Sequence, residues 1–92
     1  MAYNISMTRL IIDVREPEEY ALGHVDGAIN IPPSELINGS GQLVGIPKNK
    51  EIIVYCVSGS RSNITKNILE QNGFTNITNG INQYHVKAKH NL

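Results

Sequence analysis

A parallel α/β sheet with helices on both faces is predicted by three features of the sequence. Short β-branched runs alternate with stretches of helical character along the whole chain. The two strongest runs, Leu10-Ile11-Ile12-Asp13-Val14 and Ile52-Ile53-Val54-Tyr55, are almost continuously apolar, as in strands covered on both sides. No repeat, heptad or long linker interrupts the alternation. With 92 residues, one domain over 1–92 is expected, its core spanning about 8–86.

The elements follow in order. Leu10 to Val14 is the first strand, and Tyr3 to Thr8 before it is expected to supply at most an edge strand. Pro17 suits the first turn of a short helix, where Glu16, Glu18 and Glu19 place negative charge at its positive end, and Gly23 stops it. Ala28-Ile29-Asn30-Ile31 reads as a short strand ended by Pro32-Pro33, after which Ser34 can cap a helical turn through about Ile37. Asn38 to Gly41 has loop composition. The strand Ile52 to Tyr55 runs into Cys56. A helix from about Arg61 or Ser62 to Asn72 is expected to bury Ile64, Ile68 and Leu69 and to close at Asn72-Gly73. Asn76-Ile77-Thr78 is the last short strand, Asn79-Gly80 a turn, and Ile81 to about Ala88 a final helix.

Charge and cysteine content narrow the function. Eight basic and eight acidic side chains cancel, so no surface-wide field favours nucleic acid or an anionic membrane. The single cysteine excludes an intramolecular disulfide scaffold and a two-cysteine redox motif. One thiol, together with a start that lacks a basic and apolar leader, fits the cytoplasm. No stretch reaches the ~18 apolar residues of a membrane span. The histidines and the cysteine show no zinc spacing, so neither a metal nor another cofactor is expected.

The chemistry is expected at Cys56-Val57-Ser58-Gly59-Ser60-Arg61. This loop leaves the carboxyl end of a parallel strand and enters a helix, the place where α/β sheets carry their sites. The small residues Ser58, Gly59 and Ser60 allow a tight curl whose N–H groups face inward as an anion-binding nest. The helix N-terminus adds positive potential. A thiol held there ionises more readily than a free cysteine, and the thiolate is the nucleophile. Arg61 is expected to close the ring electrostatically or to bind the loop backbone through its planar fork. The competing reading is a small buried hydrophobe at a strand end.

Two segments then show a resemblance. Asp13-Val14-Arg15-Glu16-Pro17-Glu18-Glu19-Tyr20, with Gly23-His24-Val25-Asp26-Gly27-Ala28-Ile29-Asn30-Ile31-Pro32, resembles the first half of a rhodanese domain, and Cys56 to Arg61 resembles its active-site loop. The match runs from about Leu10 to Gly80. It implies a three-layer α/β/α fold with a parallel sheet of about five short strands. It also implies a sulfurtransferase in which Cys56 takes a sulfane sulfur from a small donor such as thiosulfate and passes it to cyanide or a thiol. The substrate loop would be Val57, Ser58, Gly59, Ser60 and Arg61. Related phosphatases and arsenate reductases need five residues between Cys and Arg and usually carry His before the cysteine. Here four residues intervene and Tyr55 precedes Cys56, which favours sulfur over phosphorus. Val57 stands where many thiosulfate-using members have a basic or polar side chain. That departure fits an alternative role as a carrier receiving sulfur from a relay protein. The family's Gly-Gly…Trp pattern is reduced to Asn79-Gly80-Ile81-Asn82-Gln83-Tyr84.

Asp13 and Arg15, at a strand end on the site side, are expected to support it as a charge-assisted pair fixing the loop after the strand. His24 is expected to cap or pack. Gly27-Ala28 is expected to allow close approach of a neighbouring strand.

Overall fold

The computed structural model describes residues 9–37 and 41–90. In chain order it contains β1 (Leu10–Asp13), α1 (Pro17–Ala21), β2 (Ile29–Asn30), α2 (Pro33–Ile37) and a 3₁₀ turn (Gly41–Leu43). Then come β3 (Ile52–Cys56), α3 (Ser60–Gln71), β4 (Ile77–Asn82) and α4 (Gln83–His90). Within the described residues the strands form one four-stranded sheet in the order β2-β1-β3-β4. Every neighbouring pair is parallel. The edge strand expected at Tyr3 to Thr8 lies outside the described residues.

Alternation along the strands divides the core in two. Ile12, Ile52, Val54 and Cys56 face one side and join Ile31, Leu36 of α2, Leu69 of α3 and Phe74. Ile11, Ile53 and Tyr55 face the other and meet Val25, Ala28 and Val86 of α4. Side chains two apart thus share a face, while the central strand β3 is buried throughout, as a strand covered on both sides must be. Cys56 and Tyr55, adjacent in sequence, therefore point into opposite layers.

Three local predictions are revised. The buried positions of α3 are Ser62, Thr65 and Leu69, while Ile64 is 54% exposed. The helix is turned so that small polar residues meet the sheet end and the loop, letting it approach closely. Second, Asn79-Gly80 is not a turn. β4 continues to Asn82, with Val54 opposite Asn79 and Tyr55 opposite Ile81, so Gly80 is the extra residue of a bulge. A Cβ on Gly80 would lie 2.6 Å from Val86 Cγ2 and 3.0 Å from Ile53 Cγ2, so α4 packs here only against glycine. Third, Gly27 has φ +83° and open space around its Cα, so the glycine serves the turn rather than a close strand approach.

The C-terminus of α3 closes as expected. The N–H of Phe74 donates to the carbonyl of Leu69 at 3.1 Å and that of Gly73 to Glu70 at 3.0 Å. This is a Schellman motif, and Phe74 and Leu69 share the same core layer.

Candidate active site

β3 delivers Cys56 to the carboxyl end of the sheet, and α3 begins four residues later at Ser60. Gly59, the residue before the helix, has φ +94°, a conformation that favours glycine. That turn brings the Gly59 N–H to 3.1 Å from Cys56 Sγ. Ser62 Oγ lies 3.5 Å from the same sulfur. Val57, Ser58 and Ser60 are exposed around it, and the Ser58 and Ser60 hydroxyls are 3.3 Å apart. Cys56 itself is only 2% exposed. Burial pushes its thiol up, but hydrogen bonds to the sulfur, from the Ser62 hydroxyl if it donates and from the N–H groups of Ser62, Gly59 and Ser58, outweigh it, and the thiol falls to about 7. A nest of N–H groups thus makes the thiolate accessible near neutral pH without a separate base.

Arg61 departs from one sequence expectation. Its fork is not on the loop backbone. Nη1 and Nη2 donate to Glu19 Oε1 and Oε2 at 2.7 and 3.1 Å, a bidentate pair between α3 and α1. Glu19 Oε1 also accepts the Glu16 N–H at 3.0 Å. Arg61 and then Glu16 hold the Glu19 carboxyl down at about 2. The hydrogen bond to Glu19 is the main cause that raises the Arg61 pKa, and the charge of Cys56 is a smaller one.

Asp13 and Arg15 do form the expected pair. Arg15 Nη2 lies 2.7 Å from Asp13 Oδ2 and Nε 2.9 Å from Oδ1, with both side chains buried. The hydrogen bond to Asp13 raises the Arg15 pKa against the opposing effect of burial. Tyr55 Oη donates to Asp13 Oδ2 at 2.9 Å and accepts the Val25 N–H at 3.0 Å. Burial first, and the bond to Asp13 after it, raise the Tyr55 hydroxyl to about 12. Arg15 Nη2 also donates to the Gly23 carbonyl at 2.6 Å. Because Tyr55 faces the layer opposite Cys56, this network braces the chain after β1 and does not touch the sulfur. His24 packs as expected, stacked on Tyr20 with ring centroids 3.6 Å apart.

Three residues around the sulfur were not singled out as site residues in the sequence: Ser62, in contact with the sulfur, Asn79 and Ile81. Asn79 Nδ2 donates to the Gly59 carbonyl at 3.0 Å, and its Oδ1 accepts Ser62 Oγ–H at 2.6 Å and the Ile81 N–H at 2.9 Å. Ile81 adopts φ +75°, a rare conformation for a β-branched residue. The available signal was the β3–β4 pairing, which places the end of β4 beside Cys56.

Comparison with known proteins decides the family. The rhodanese-like domain profile matches residues 2–87. The chain belongs to the rhodanese family. It is 44% identical over 68 residues to the thiosulfate sulfurtransferase PspE of Escherichia coli, a match covering 74% of this chain and 64% of that protein. It is 32% identical over 77 residues to the thiosulfate:glutathione sulfurtransferase of Saccharomyces cerevisiae, covering 73% of this chain and 55% of that protein. The chain therefore spans less than two thirds of the length of these relatives. A solved rhodanese from Escherichia coli superposes with a TM-score of 0.74 at 39% identity, covering 84% of this chain and 89% of that one. The three-layer rhodanese fold implied by the two motifs is the fold observed, with four strands among the described residues where about five were expected. No helix among the described residues is long and apolar enough to cross a membrane.

Proposed function

We propose that the chain is a thiosulfate sulfurtransferase that carries sulfur as a Cys56 persulfide. The observation that supports it is the Cys56 thiol at about 7, with the Gly59 N–H aimed at the sulfur from 3.1 Å. The thiolate attacks the outer sulfur of thiosulfate. An S–S bond forms to Cys56, the bond to the sulfonate breaks, and sulfite leaves with its electron pair. Because Cys56 is buried, the added sulfur, about 2 Å further out, is the atom offered to an acceptor. Cyanide or a thiolate attacks it, giving thiocyanate or a new persulfide and restoring the Cys56 thiolate. The two half-reactions follow a ping-pong scheme. Exposed Val57, Ser58 and Ser60, with Gly59 and Arg61, form the mouth through which donor and acceptor pass. The lone thiol suits a reducing compartment, so we place the reaction in the cytoplasm.

Incubation with thiosulfate and cyanide should yield thiocyanate, and Cys56→Ser should abolish it. Intact mass after thiosulfate alone should rise by one sulfur. An unchanged mass with every donor tried would remove the persulfide from the scheme. A second reading, a carrier loaded by a protein partner, is favoured by Val57, which is apolar and 56% exposed at the mouth. It predicts slow thiosulfate turnover beside fast loading by a protein persulfide. A phosphatase-like role is disfavoured, because the fork of Arg61 is engaged by Glu19.

A further inference from the structure

We infer that Asn79 is a positioning residue that fixes the direction of the hydrogen bond between Ser62 and Cys56, holding the Ser62 proton away from the sulfur. The orientation of the Asn79 amide is set by two neighbours with no choice of role. The Gly59 carbonyl can only accept, so Nδ2 must face it, at 3.0 Å. The Ile81 N–H can only donate, so Oδ1 must face it, at 2.9 Å. A flipped amide would oppose donor to donor and acceptor to acceptor.

Ser62 Oγ then lies 2.6 Å from an oxygen that carries no hydrogen, and the serine has one proton to give. The competing sulfur is 3.5 Å away, a long contact. The short bond claims the proton. A Ser62 hydroxyl donating to the sulfur would lower the thiol, but the bond to Asn79 removes that role; toward Cys56, Ser62 instead presents a lone pair, which accepts the S–H of the thiol and opposes the thiolate. The Gly59 N–H, and the other N–H groups of the loop, are left to hold the negative sulfur. The same Asn79 steadies that donor set, since its bond to the Gly59 carbonyl fixes the peptide after the Gly59 N–H.

Other charges do not supply this bias. Arg61 of α3 acts on Cys56 and is paired with Glu19 of α1. The adjoining strand β4, Ile77–Asn82, contains no charged residue.

The test rests on the proposal above only in taking Cys56 as the reacting group. It reads the thiolate directly and needs no sulfur donor. The rate of Cys56 alkylation by iodoacetamide is measured against pH in the full chain, and its midpoint gives the thiol pKa. Ser62→Ala should lower the midpoint by about half a unit to one unit, because the thiol loses its acceptor. In Asn79→Ala the serine proton is free to turn to the sulfur. Adding Ser62→Ala to that background should raise the midpoint instead. The reversal of sign is the signature, and a merely structural role for Asn79 would not produce it. Ser62→Ala alone carries the sign test should the Asn79 variants fail to fold. A midpoint that rises or stays put in Ser62→Ala would overturn the proposal, as would shifts of the same sign in both backgrounds. Absent thiocyanate with the predicted reversal would instead count against sulfur transfer alone.

Discussion

At the scale of single residues, Cys56 ties reactivity to stability. Its thiol lies at about 7 in the folded chain, against 9.0 ordinarily. A group with a lowered pKa stabilises the fold above its unfolded value and loses that contribution as pH falls through the folded value. The fold should therefore gain roughly 2–3 kcal/mol between about pH 7 and 9. Urea titrations across that window should show the rise, and Cys56→Ser should flatten it. Thr65 offers a second prediction. Its hydroxyl is buried in α3 without a hydrogen-bond partner among the described residues. Thr65→Val keeps the shape and removes the stranded polar group, so it should stabilise the protein by about 1 kcal/mol. A denaturation midpoint that falls would show that the hydroxyl has a partner after all.

At the scale of elements, the Glu19–Arg61 pair clasps the starts of α1 and α3. Both side chains are about a third exposed, at 34% and 35%, so solvent screens the pair and it contributes little stability. Glu19→Gln should cost less than about 1 kcal/mol. The lost contribution is one present above the usual carboxylate range and fading as pH falls toward 2, because the Glu19 carboxyl is held down. The larger effect should be on substrate. Released from a carboxylate, Arg61 can offer its charge to a dianion at the loop, and KM for thiosulfate should fall several-fold with little change in kcat. An unchanged KM would mean that Arg61 is not within reach of the donor. Which parts of this were readable in the sequence follows from range. The β-branched runs and the loop at Cys56 are local patterns, and they predicted strands, sheet type and the place of the candidate nucleophile. The partner of Arg61 lies 42 residues away and left no local trace. The bulge at Gly80 was missed because Asn-Gly inside a strand reads as a turn. The buried face of α3 was misplaced in part: Leu69 is buried and Ile68 packs on the core as expected, but hydrophobicity also pointed to Ile64, whereas Ser62 is inside for its contacts with Cys56 and Asn79.

At the scale of the whole molecule, the two layers on either side of the sheet divide the work. One holds Cys56, and the other holds a buried polar network that joins several parts of the chain. Asp13 of β1 accepts from Arg15 and from Tyr55 of β3, Tyr55 accepts from Val25, and Arg15 reaches Gly23. Asn30 Nδ2 adds bonds to the carbonyls of Asp13 and Arg15 at 3.0 and 2.8 Å. Asp13→Asn preserves shape but leaves the Arg15 guanidinium buried with only a carbonyl and an amide for company. Breaking a buried pair from one side costs about 3–5 kcal/mol, a large part of the ~5–15 kcal/mol that holds a domain together. For a chain of this size the melting temperature should drop by at least about 12 °C. The alkylation midpoint of Cys56 should stay near 7 wherever the variant remains folded, because the network faces away from the sulfur. Activity would then be lost in proportion to the unfolded fraction and restored by cooling to the temperature of maximum stability. A shifted midpoint in the folded variant would instead mean that the two layers are coupled through the Tyr55–Cys56 backbone, and Asp13 would have to be counted among the residues that set the chemistry.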